Sequence, residues 1–125
     1  MNNIHKNFQQ IEIPVIKTLY DLYTFTHNLV SKFPKHERYS LGEKLENTIF
    51  EAIEYIVFGN GQQKNFKDAY ILKANTKIEL LKLYYRLAFD MNIIDGKSYL
   101  KAQEFLQEIG KMLGGWLKYL QSNWY

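Results

Sequence analysis

Apolar residues recur along this chain at steps of three and four, the spacing that gathers them on one side of an α-helix. Val15, Leu19, Leu22, Thr26, Leu29 and Phe33 start the pattern and predict a helix over about residues 13–31. Pro14 is expected in its opening turn, where a missing N–H does no harm. A second helix is predicted over about 34–58, with Pro34 at its first position and Leu41, Leu45, Ile49, Ala52 and Ile56 as its stripe. Gly59-Asn60-Gly61 should end it, because Gly and Asn accept left-handed backbone angles. A third runs over about 64–91 with Asn92 as its cap, and a fourth over about 96–120 with Asp95 or Ser98 as N-cap. In the fourth, Tyr99, Ala102, Leu106, Ile109, Leu113, Trp116 and Leu120 alternate steps of three and four, as a bundle seam does. Short connections make neighbouring helices antiparallel. The chain, 1–125, therefore reads as one all-α domain, an up-down-up-down four-helix bundle with no strand, repeat or low-complexity tract.

The third helix carries two apolar stripes. Ile71, Ala74, Ile78, Leu81, Tyr85 and Ala88 form one; Leu72, Leu80, Leu83, Leu87 and Met91 form another on the opposite side. A helix apolar on two sides is buried on two sides. Either it is central and covered within the chain, or its second stripe meets another subunit. Ten tyrosines and eight phenylalanines tilt the expectation towards an oligomer. Most tyrosines, including Tyr20, Tyr85 and Tyr99, fall at core spacing.

Composition narrows the class. With 46% hydrophobic residues, 16% aromatics and only two prolines, the chain can fill a core and is not disordered. No cysteine means no disulfide and no thiolate metal site. The opening ten residues are polar and no apolar run approaches a membrane span, so a soluble, cytoplasmic protein is expected. Residues 1–63 hold six Lys/Arg against seven Asp/Glu, whereas 64–125 hold ten against six. A polyanion partner is therefore sought on the second half: Lys64, Lys67, Lys73, Lys77, Lys82 and Arg86 on the third helix, with Lys97, Lys101, Lys111 and Lys118 on the fourth. They fall on several sides rather than in one row. An oligomer would multiply the +3 of one chain.

Catalytic and metal chemistry find little footing. His5, His27 and His36 are in no Glu-x-x-His pair. There is no nucleophile elbow or phosphate loop, and neither Arg38 nor Arg86 has a histidine downstream. The charges at Glu37, Arg38, Glu43, Lys44 and Glu46 suit a helix N-terminus. No enzymatic activity, metal or cofactor is expected. Gly110, Gly114 and Gly115 inside the fourth helix each cost about 1 kcal/mol relative to alanine. Close packing within or between subunits is the expected compensation.

Two stretches are more specific. The corner Phe33-Pro34-Lys35-His36-Glu37-Arg38-Tyr39-Ser40-Leu41-Gly42-Glu43 resembles the four-helix-bundle superfamily that includes proteins encoded in 23S ribosomal RNA intervening sequences. The ending Glu108-Ile109-Gly110-Lys111-Met112-Leu113-Gly114-Gly115-Trp116 is similar to that of the accessory variability determinant (Avd) family of diversity-generating retroelements. The intervening-sequence branch usually continues with a Ser-Ile-Pro-x-Asn-Ile-Ala-Glu-Gly-like second helix, whereas this chain has Asn47-Thr48-Ile49-Phe50-Glu51-Ala52-Ile53. The resemblance to Avd implies a basic homopentameric barrel that binds the reverse transcriptase, RNA and cDNA in mutagenic retrohoming, without catalytic residues. It makes Phe33 a plug at the bundle end, Pro34 a helix start, and Glu37 and Arg38 the fixings of the corner, with Tyr39 and Gly42 in the same motif. An intervening-sequence-type bundle protein with a structural or interaction role is the alternative.

Overall fold

The structure, a computed structural model, describes residues 3–122, with side chains described over 14–121; His5 and the opening ten residues lie outside the described side chains. Four long helical runs and no strand make up the described chain. They are α1 (Asn3–Val30); a run made of α2 (Lys35–Glu37), a π-helical turn (Arg38–Gly42) and α3 (Glu43–Asn60); α4 (Lys64–Asp90); and α5 (Gly96–Ser122). Each long helix packs on the next, and α5 closes against α1. Tyr23 and His27 of α1 meet Phe50 and Glu46 of α3 in opposite order, as do Tyr55 and Lys44 of α3 with Tyr70 and Tyr84 of α4, Lys44 over its ring. Neighbours are thus antiparallel, and the fold is a four-helix bundle.

The predicted stripes form the core. Val15, Leu19, Leu22, Leu45, Ile49, Ile56, Ile78, Leu81, Leu106, Ile109 and Leu113 are wholly buried, and Trp116 and Leu120 nearly so. A polar pair spans the core: the Tyr85 hydroxyl on α4 is hydrogen-bonded to Thr26 Oγ1 on α1. Burial holds the Tyr85 phenol far above its ordinary pKa, so it stays neutral at any physiological pH. Such a pair, lying across the bundle, fixes how the diagonal helices slide against one another.

Several boundaries differ from expectation for physical reasons. The α1 helix begins well before residue 13, so Pro14 lies inside it rather than in the opening turn. Lacking an N–H, it leaves a carbonyl one turn back without its helical donor, while its own carbonyl accepts the Thr18 hydroxyl at 3.0 Å. Pro34 is the residue before the helix, not its first: at φ −51° and ψ 145° it is extended, and its carbonyl accepts Glu37 and Arg38 N–H. Gly59 and Gly61 end α3 without left-handed angles. Gly59 instead lies against α4, where a Cβ would come 2.7 Å from Tyr70 Cβ. Asn92 does adopt the left-handed conformation, φ 59°, and Asp95 Oδ1 accepts the Ser98 N–H at 2.8 Å. Tyr20, placed at core spacing by the sequence, is 67% exposed.

The Phe33–Gly42 motif forms the corner between the first two long helices. Phe33 is buried, and Arg38 Nε donates to its carbonyl at 3.1 Å. Glu37 lies 3.3 Å from His36 Nε2. The π-helical turn that follows was not legible in the stripe. It ends where the Glu43 N–H reaches back to Arg38 O. At its last position, Gly42 lets α1 come close: a Cβ there would sit 2.6 Å from Val30 Cγ1 and 3.2 Å from Glu37 O.

Three outcomes are expected. Gly42→Ala should lower stability by roughly 1–3 kcal/mol through overpacking, whereas Gly114→Ala, into open space, should raise it by about 0.5–1 kcal/mol; urea midpoints compare the two. In a double-mutant cycle, Tyr85→Phe alone should cost about 1–2 kcal/mol, and adding Thr26→Val should recover part of it, since no hydroxyl is then left orphaned. The Ser98 N–H, above all, holds the Asp95 carboxyl below its ordinary value of 3.8. Its folded pKa is depressed, so its stabilising contribution is present above 3.8 and lost as pH falls through the lower folded value. Thermal melts of wild type and Asp95→Ala should therefore differ at neutral pH and converge in strong acid.

Candidate nucleic-acid interface

Of the two apolar stripes of α4, one is core and the other is bare. Ile71, Ala74, Ile78, Leu81, Tyr85 and Ala88 are fully buried. Leu72, Leu83, Leu87 and Met91 are about half exposed or more, Leu83 reaching 60%. Leu80 between them is half-buried. Of the two readings left open for this helix, cover by its own chain is thus not met among the described residues: α4 has α3 and α5 on its flanks and none of them over its outer face.

The cations of α4 border this stripe on both sides. Towards α3, Lys77 Nζ is 2.8 Å from Glu51 Oε2, and that carboxylate holds the ammonium above its ordinary pKa. Lys73 lies over the Tyr55 and Tyr70 rings, 5.8 and 5.3 Å from their centroids. Towards α5, Arg86 sits 5.9 Å from the centroids of the stacked Phe89 and Tyr99 rings and bonds Asp90 at 3.0 Å. Lys82 pairs with Glu79 at 3.0 Å. Lys64 is exposed at the start of α4 and Lys67 is half-exposed one turn on. These surface pairs are weak enough to exchange for a phosphate. Neutral partners such as the Tyr55 and Tyr70 rings position Lys73 and leave its charge uncompensated.

On α5, Lys101 is 3.9 Å from Glu104 and 5.1 Å from the Phe105 ring centroid. Lys111 and Lys118 are exposed, and among the described residues neither has an ion-pair partner. Between and beside them stand Gly110, Gly114 and Gly115, where an added Cβ would meet nothing within 4 Å. Close packing inside the bundle is thus not why these glycines are there; they pave an open strip of backbone beside Lys111 and Lys118. Trp116, on the other side of the helix, is buried.

The remaining motif residues line two grooves at the corner. Glu37, Lys44, Tyr84, Leu87 and Met91 bound one of about 430 Å³, which continues the apolar stripe of α4. Arg38 and Tyr39 face the other, of about 520 Å³, between α1 and α3. Tyr39 is 71% exposed, so it is a surface residue rather than part of the corner's packing. In that groove Glu46 is gripped from α1: His27 Nδ1 donates to Oε1 at 2.6 Å, and Tyr23 also bonds it. Partial burial, then the bond to Glu46, raises the Tyr23 phenol above its ordinary pKa. Sequence reading passed over this groove. Its signal was the spacing of Glu43, Glu46, Asn47 and Phe50, which falls on one helical face, beside Tyr23 and His27 one turn apart.

Among the described residues no group of three His, Cys, Asp or Glu side chains could hold a metal ion, and no helix is long and apolar enough to cross a membrane. What the surface offers is contact area and charge: a helical-bundle protein with one bare apolar stripe and cations on either side of it. A family model described as bAvd-like matches residues 13–120, and the chain belongs to this family, the bacterial accessory variability determinants. No curated protein matches it.

Proposed function

We propose that this chain is the accessory protein of a diversity-generating retroelement. It binds the reverse transcriptase, the template RNA and its cDNA in the cytoplasm, supports mutagenic retrohoming, and catalyses nothing itself. Membership of the family supports this reading. The observation that carries it is the exposed stripe of α4, Leu72, Leu83, Leu87 and Met91, bordered by Lys73 and Lys77 on one side and Lys82 and Arg86 on the other. A stripe of that length on a water-facing helix is stabilised when another surface covers it. Copies of the same chain, joined head to tail, cover every stripe and close into a ring. A pentamer multiplies the +3 of each chain fivefold, and a polyanion then gains by releasing its counterions. The template's phosphates fall to the scattered lysines, of which Lys67, Lys73, Lys111 and Lys118 have no ion pair among the described residues.

Light scattering at moderate salt should give a mass near five times the 14.9 kDa of one chain. The pair Leu83→Glu and Leu87→Glu should yield monomers with unchanged helical circular dichroism. RNA affinity should fall steeply with salt, and changing Lys67, Lys111 and Lys118 to Gln should flatten that log–log slope by about 2. A wild-type monomer without affinity for RNA or polymerase would sink the proposal and leave a general interaction module.

A further inference from the structure

The groove between α1 and α3 lies on the opposite edge of the bundle from the α4–α5 cations, and its chemistry is the reverse of theirs. The Tyr23 and Phe50 rings form its apolar wall, their centroids 4.6 Å apart, and the exposed Tyr39 ring stands at another side. Two carboxylates, Glu43 and Glu46, line it against one guanidinium, Arg38. Arg38 already spends its Nε on the Phe33 carbonyl, and Glu46 is held by His27 and Tyr23. Glu43 is exposed and, among the described residues, its carboxylate has neither a hydrogen bond nor an ion pair.

A phosphate would meet net negative charge here, and a purely apolar group would leave the Glu43 carboxylate unanswered. A planar cation answers both walls. A guanidinium stacks on aromatic faces, presents two parallel N–H groups to a carboxylate, and leaves water more cheaply than an ammonium. A second copy offers only Arg86, at the far edge of the bundle beside Asp90 and the Tyr99 ring, since Arg38 stands in the groove wall itself. We propose that this groove receives an arginine side chain of a partner protein, with Glu43 as its carboxylate and Tyr23, Tyr39 and Phe50 as its aromatic walls. The site is independent of the nucleic-acid reading, because no α4 or α5 lysine takes part.

The test uses the full chain and follows the ring resonances of Tyr23, Tyr39 and Phe50 by NMR during titration. The probes are the peptide acetyl-Gly-Arg-Gly-amide, its lysine and citrulline counterparts, and adenosine monophosphate. The arginine peptide should give saturable shifts, the lysine peptide weaker binding, and uncharged citrulline at least about tenfold weaker binding. Glu43→Gln, at an exposed position, should weaken the arginine peptide by a similar factor, while Lys111→Gln should leave it unchanged. No shift with arginine, equal binding of citrulline, preference for the nucleotide, or indifference to Glu43→Gln would each overturn the proposal. The titration reads neither the mass of the assembly nor its RNA affinity, so the two proposals fail separately.

Discussion

The approach of α1 to the π-helical turn, permitted by the missing side chain at Gly42, sets the rest of the molecule. With Val30 Cγ1 only 2.6 Å from where a Cβ would be, the two backbones are as close as side chains allow. Arg38 then ties the turn to the Phe33 carbonyl, and Phe33 closes the end of the core. The direction of α3 follows, and with it the pairing of Tyr23 and His27 with Phe50 and Glu46. Because α3 in turn flanks α4, the corner also decides which way the outer stripe of α4 points.

That stripe is the least settled part of a single chain. Inward, α4 contributes fully buried residues and half of a buried hydroxyl pair. Outward, it offers leucines to water between two borders of cations. Few of those cations are idle: acidic neighbours and rings fix where Lys73, Lys77, Lys82 and Arg86 sit without burying them. Opposite, the α1–α3 groove gathers carboxylates and rings. The bundle is thus polarised, with its positive edge along α4 and α5 and a small acidic, aromatic cleft across from it.

The core was plain in the sequence, because steps of three and four repeat wherever a helix faces the interior. The four seams lie along the predicted stripes, except that at the end of α1 Val30 is buried and Leu29 only half-buried. Periodicity could not report the π-helical turn, since one extra residue per turn looks like an ordinary drift of the stripe. The start of α1 was legible but passed over: Ile4, Phe8 and Ile11 step by four and three and lead by four into Val15, and Pro14 drew the boundary too late. Gly59 misled for a related reason: glycine at a helix end suggests a left-handed cap, yet here it makes room for Tyr70. The two stripes of α4 were visible, but whether the chain covered the second was a three-dimensional question. Site residues were legible only as charge. Which lysine had an acid, a ring or neither beside it depended on neighbours distant in sequence.

The open glycines of α5 bear on motion. At Gly114 and Gly115 the helix has exposed backbone and no side chain to shield its hydrogen bonds, so opening the last turns there costs less than anywhere in the buried seams. Trp116 and Leu120, just beyond, are the anchors that return the segment to the core. The end of α5 is therefore the stretch of that helix whose backbone should open most cheaply. Anything lying along the strip would slow its opening, and the exchange of these amide protons would register contact even where no atom of the bundle moves.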